Sequence, residues 1–255
     1  MTGLLELITP VQLVFAFGIA LLAGLIKGMV GFAMPMILIS GLTLFLAPDL
    51  ALAGLLLPTL ATNVWQALRQ GPSAAMSSVV RFRVFLIAMG ICLLISAQLV
   101  MLLPVKTFLL MIGVPISIFA LIQLFGLRFT LDKPRTWIET VIGGIAGFIG
   151  GLSGVWGPPT VLYLTALNTP KSDQVRIQGV IYGIGAVMLV SAHIGSGVLR
   201  WSTLPLSVAL LVPALVGTWI GGKIHDRIDQ DQFRKVTLAV LTIAGLNLVR
   251  RALMG

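Results

Sequence analysis

Acidic residues are scarce here: eight in 255, against seventeen lysines and arginines, with only 10% of the chain charged. A soluble domain of this length carries about a quarter charged residues. Cysteine occurs once, at Cys92 in an apolar run, and histidine twice. That leaves no disulfide framework and no thiolate or histidine cluster for a metal. The only charge before Lys27 is Glu6, so the start of the sequence lacks the basic region of a cleavable signal. A membrane-embedded enzyme would need a nucleophile with its base, or a metal cluster. Ser153 beside Lys27 is the nearest approach to one, so the chain reads as a non-enzyme without cofactor.

What it has is hydrophobicity: 58% apolar residues and a mean hydropathy of +1.06. The runs Val11–Ile26, Ala51–Leu68, Val84–Leu103 and Trp201–Ile220 reach the roughly 17–25 residues of a spanning helix. The sequence is that of an all-α polytopic membrane protein. Its net charge of +9 then follows from basic residues gathering in cytoplasmic loops, and no nucleic-acid partner is expected.

Glycine and proline are concentrated at two places inside the apolar sequence. Setting "GLIKGMVGFAMPMILIS" (24–40) over "GFIGGLSGVWGPPTVLY" (147–163) aligns Gly24, Ile26, Gly28, Gly31 and Pro35 with Gly147, Ile149, Gly151, Gly154 and Pro158. Four of these five identities are helix-breaking residues at one constant offset, which points to an internal duplication. Repeat one is assigned to 1–128, with a hairpin over 10–47 (arms 10–27 and 32–47) and helices 49–69, 80–103 and 106–126. Repeat two is assigned to 129–255, with a hairpin over 136–168 (arms 136–150 and 157–168) and helices 172–197, 202–223 and 232–251.

Charge decides between a spanning and a folded-back broken segment. With folded-back hairpins the repeats are inverted, and the 16 cations outside Lys27 divide twelve to four. A continuous span gives nine to seven, almost no bias. The inverted arrangement satisfies the positive-inside rule and places both termini on the non-cytoplasmic face of a membrane, the inner membrane if the cell is bacterial.

Backbone that is not helical at membrane depth must be buried in protein or line a polar cavity. Paired broken helices are a recurrent substrate site in transporters, where helix N-termini attract anions. The candidate substrate-binding residues are Lys27, Gly28, Gly31 and Phe32 at the first tip and Gly151, Ser153, Gly154, Trp156 and Gly157 at the second. Arg176 and Gln178 in the next helix join them as an oxyanion fork and an amide. Asn63, Gln66 and His193, polar residues in apolar helices, are candidates for the pathway or for coupling. Met29, Phe32, Met34 and Trp156 are available to surround an organic portion. Every acidic residue falls in a loop or near a helix end, so an anionic substrate fits better than a cation.

At the two hairpins, "GLIKGMVGFAMP" and "GGIAGFIGGLSGVWGPP", the sequence resembles the TauE/SafE family of sulfite exporters. The resemblance extends over essentially the whole length. It implies transport of sulfur oxyanions or organosulfonates such as sulfite, thiosulfate or sulfoacetate. The tip positions matching the motif are Lys27, Gly28, Gly31, Gly151, Ser153, Gly154 and Gly157. The expected partners are a small anion and the lipid bilayer, with homo-oligomerisation left open. The alternatives are a small-anion channel and a carrier of other small organic anions.

Overall fold

Proline stands at the head of the apolar segments, and helices begin where it does. Its missing N–H has no partner to lose in a first turn, and its fixed φ suits one. In the computed structural model α1 runs Pro10–Val30, α3 Pro48–Leu68 and α4 Pro72–Arg81. Thr9 caps α1 in a reciprocal box with Gln12. Between them lies α2, Met34–Leu42; α5 follows at Arg83–Leu99. The rest are α6 Thr136–Ser153, α7 Gly157–Ala166, α8 Lys171–Gly195, α9 Leu204–Arg227 and α10 Gln230–Met254. The structure describes residues 4, 7–99, 106, 110, 114, 117, 121, 130–131, 133–195 and 197–254, and no strand occurs among them.

Five helices (α1, α3, α8, α9 and α10) are long and apolar enough to cross a membrane, and α4 with α5 makes a sixth candidate bent by 76°. Large apolar side chains such as Val14, Phe15, Ile91 and Ile243 face outward, as expected of surfaces that meet lipid.

The chain forms two compact units, Met1–Met76 with Val175–Arg227, and Ser77–Gln174 with Ile228–Gly255. Each holds one hairpin and draws on both halves of the sequence. In the first unit α1 lies against α9 through interleaved glycines. A Cβ on Gly24 would fall 2.2 Å from the Ala214 carbonyl oxygen, and one on Gly221 would fall 2.0 Å from that of Leu25. Only glycine permits this approach, and apolar solvent leaves close packing as the main source of helix association. In the second unit a Cβ on Gly147 of α6 would likewise fall 2.1 Å from the Met89 carbonyl oxygen of α5.

Proline inside α3 is accommodated locally. Pro58 leaves the Gly54 carbonyl without its helical donor. Ser207 of α9 donates to that oxygen at 3.4 Å and accepts from the Leu57 N–H at 3.1 Å.

Three segments differ from the sequence reading. The stretch left between the helices assigned to 49–69 and 80–103 holds most of α4, and the second of those helices instead starts at Arg83 after a sharp bend. Pro72 supplies a helix start that its Ser- and Gly-containing surroundings obscure. The helix assigned to 202–223 continues to Arg227, because lysine and arginine are good helix formers and tolerate an end exposed to water. The assigned helix 106–126, residues 100–103 and the repeat boundary at 128 and 129 lie outside the described residues, apart from isolated positions.

Candidate functional site

Both hairpins turn by one device. At the end of α1, Gly31 takes the left-handed conformation (φ 87°) and its N–H bonds the Lys27 carbonyl at 2.7 Å. At the end of α6, Gly154 does the same (φ 69°), bonding the Gly150 carbonyl at 2.7 Å. A residue with a Cβ pays about 1–2 kcal/mol for that backbone. The two glycines stand 123 residues apart, the offset of the sequence duplication. Beyond the first tip Ala33 also has positive φ, 76°, unusual for a residue with a side chain. The returning arms α2 and α7 each carry proline in the first turn, and their N-cap residues, Ala33 and Trp156, make no side-chain cap.

At the first tip, side chains from other helices collect the carbonyls of the arriving arm. Gln66 of α3 donates to Lys27 O at 3.2 Å. The Gln178 amide of α8, with its nitrogen toward the tip, donates to Val30 O and Gly31 O, both at 3.2 Å. His225 of α9 bonds Met29 O through Nδ1 at 3.0 Å. The carbonyl end of α1 is thus held by protein donors, whereas Ala33, at the N-cap of α2, offers its N–H end no side-chain acceptor. That asymmetry favours an incoming acceptor, which is to say an anion.

Lys27 lies at the centre of this arrangement, 1% exposed. Its ammonium donates to the Asn63 Oδ1 of α3 and stands 6.0 Å from the centre of the Tyr182 ring. It makes no ion pair among the described residues. Thr62, beside Asn63, is also buried and approaches Met34 Sδ at 3.8 Å. An ammonium at this depth is costly to bury beside neutral groups alone and favours a site that takes up negative charge.

A cavity of about 160 Å³ adjoins these residues in the same unit. Gln66 and Gly28 line it, together with Arg69, Trp219, Lys223 and Asp226. A larger cavity in the second unit, about 360 Å³, is lined by Asp231, threonines and amides, with no lysine or arginine among its lining residues. Of these two cavities, the one in the first unit carries the basic lining.

Among the residues expected at the substrate, the structure gathers Lys27, Gly31 and Gln178, and Asn63 and Gln66, expected on the pathway, lie with them. Phe32 is buried at the same tip. Gly28 lines the cavity and also packs α1 on α9, where a Cβ would fall 2.3 Å from Thr218 O. At the second tip Trp156 is buried with its ring packed on Gly150. Gly151 closes the last turns of α6, and Gly157 opens α7. Ser153 ends α6, and its side chain lies outside the described residues. Arg176 is not brought to Lys27; its guanidinium donates to Gln70, in the turn after α3. His193 is partly exposed near the end of α8, where its carbonyl accepts from Leu199 N at 2.9 Å.

Sequence reasoning missed Tyr182, Thr62 and His225. Tyr182 lies one turn beyond Gln178 on α8, and that spacing was the available signal. His225 was hidden by its charged neighbours, which suggested a loop.

A helical membrane protein with a glycine-broken hairpin around a buried cation has the form of a transporter for anions. The sequence matches the family described as Sulfite exporter TauE/SafE across residues 16–248, and the chain belongs to that family of membrane transporters. Comparisons with curated proteins and with solved structures give no significant match.

Proposed function

We propose that this transporter carries a small sulfur oxyanion or organosulfonate, such as sulfite, thiosulfate or sulfoacetate, and binds it at the first hairpin tip. The observation that carries the reading is Lys27, a buried ammonium with a neutral amide and an aromatic ring as its partners. A bound oxyanion supplies the opposite charge, and the uncapped first turn of α2 supplies backbone donors. The family's description supports sulfite. Met34 and Phe32, buried at the tip, suit a short organic tail.

The repeats are proposed to be inverted, with both termini outside the cytoplasm of a bacterial inner membrane, from the distribution of lysine and arginine alone. That the second tip (Gly151, Ser153, Gly154, Trp156 and Gly157) also contributes to the anion, and that transport proceeds by alternating access, is proposed from the sequence duplication. The left-handed turns at Gly31 and Gly154 support a common origin for the hairpins.

Flux into proteoliposomes tests the reading. Sulfite, thiosulfate and sulfoacetate are offered in turn, with formate and lactate as controls. Saturable uptake of a sulfur anion, with counterflow, is the expected result. Folded protein that moves none of the three sulfur anions would overturn the proposal, and flux without counterflow would indicate a channel.

A further inference from the structure

The face of α3 that reaches Lys27 does not stop there. Thr59, Asn63, Gln66 and Arg69 recur every three or four residues, so they lie on one side of the helix. The first three are buried, at 1%, 0% and 3% exposure, while the Arg69 side chain is 32% exposed. Four buried side-chain polar atoms among the described residues have no hydrogen-bond partner, and three belong to this stripe: Thr59 Oγ1, Asn63 Nδ2 and Gln66 Oε1. Buried polar atoms are nearly always bonded, and leaving them open costs stability. A row of them on one helix face, meeting a cavity at Gln66, is the pattern of a path that a polar species occupies in turn.

The outer end of that row carries an ion pair. Arg69 Nη2 lies 2.6 Å from both carboxylate oxygens of Asp226, in the last turn of α9, and both residues line the cavity. Lys223 sits beside them with its ammonium 3.5 Å from the centre of the Trp219 ring. An exposed ion pair usually contributes little. This one differs in its place, between solvent and the unpartnered atoms behind it.

We propose that the Arg69–Asp226 pair is a latch on the vestibule leading to Lys27. An arriving anion replaces the Asp226 carboxylate on the Arg69 guanidinium, whose planar fork accepts a sulfonate or sulfite as readily as a carboxylate. Release of Asp226 opens the way to Gln66 and then to the Asn63–Lys27 pair. The inference rests on the anion-transport reading and adds the gate and its competitor.

The test needs no transport. Gly222 lines the cavity, and a Cβ there would meet only Arg69 Nη1, at 3.9 Å. Gly222→Cys, with Cys92 changed to serine, therefore places a single thiol in the vestibule of the full-length protein. Its modification rate is measured with an anionic methanethiosulfonate sulfonate and with neutral methyl methanethiosulfonate. Asp226→Asn is expected to speed both reagents about two- to fivefold, the range of an exposed ion pair. Arg69→Gln should speed the neutral one as well, and sulfoacetate should slow labelling when Arg69 is present. An unchanged neutral rate in Asp226→Asn, or acceleration of the anionic reagent alone, overturns the latch. If the cysteine variant fails to fold, hydrogen exchange at the α3 terminus is compared between Asp226→Asn and the unaltered chain; equal rates there also overturn it. Faster labelling in a protein without flux would refute transport and leave the latch standing. Flux with unaltered labelling would refute the latch alone.

Discussion

The first hairpin and the second share a backbone and differ in chemistry. Both turn on a left-handed glycine whose N–H returns to the residue four positions earlier. That earlier residue is Lys27 in one and Gly150 in the other, matched at the same offset of 123. Where the first hairpin holds a buried ammonium among amides, the second holds the Trp156 ring against bare backbone. The second unit has its own buried acid, Glu139, which accepts from the Tyr163 hydroxyl at 3.1 Å. A duplicated turn thus keeps what the backbone requires and lets the side chains specialise, with the buried ammonium in the first copy.

Removing that chemistry should give the largest effect. Lys27→Met is expected to lower kcat/KM for sulfur-anion uptake about 10- to 100-fold, the range for losing one charged hydrogen bond of about 1.5–3 kcal/mol. Initial rates in proteoliposomes check it. The next break is in the shared turn. Gly31→Ala should destabilise the protein more than Gly154→Ala, which carries the left-handed penalty of about 1–2 kcal/mol. At Gly31 the new methyl also falls 1.9 Å from the Gln178 amide. Thermal unfolding of the two variants side by side measures the difference.

Filling the bare position of the second hairpin sharpens the contrast from the other side. Gly150→Ala places a Cβ 2.7 Å from the Trp156 ring, a clash of overpacking worth about 1–3 kcal/mol. It should lower the unfolding temperature relative to the unaltered protein, measured in the same thermal scans. The smallest effect is expected at Arg176→Gln. Its guanidinium is engaged by Gln70, so uptake should change less than about fivefold, as for an exposed polar contact of up to about 1 kcal/mol.

The hairpins were legible because glycine and proline leave a chemical mark that apolar neighbours do not blur, and the duplication located both turns. Asn63, Gln66 and Gln178 stood out because amides in apolar helices need partners. Their common neighbour, the last turn of α1, was not legible: Asn63 accepts from the Lys27 ammonium and the two glutamines donate to backbone carbonyls, across 36 to 148 residues of sequence. Arg176 shows the converse. Its sequence position beside Gln178 suggested a shared role, but a helix points residues two apart in different directions. The charged stretch 224–231 separates the two helices expected on either side of it, although residues 224–227 continue α9. In consequence Asp226 and the end of α9 that carries it escaped notice.

The measurement closest to the central claim is ligand-dependent stability of the purified protein and of Lys27→Met, titrated with sulfite, thiosulfate and sulfoacetate against sodium chloride of equal ionic strength. Binding to the native state alone stabilises by about 2.7 kcal/mol at a ligand concentration one hundred times Kd. The account predicts that at least one sulfur anion raises the unfolding temperature of the native sequence in a saturable way and that Lys27→Met loses the response. An equal rise in both proteins, or none in the native one, would contradict a binding site built on Lys27.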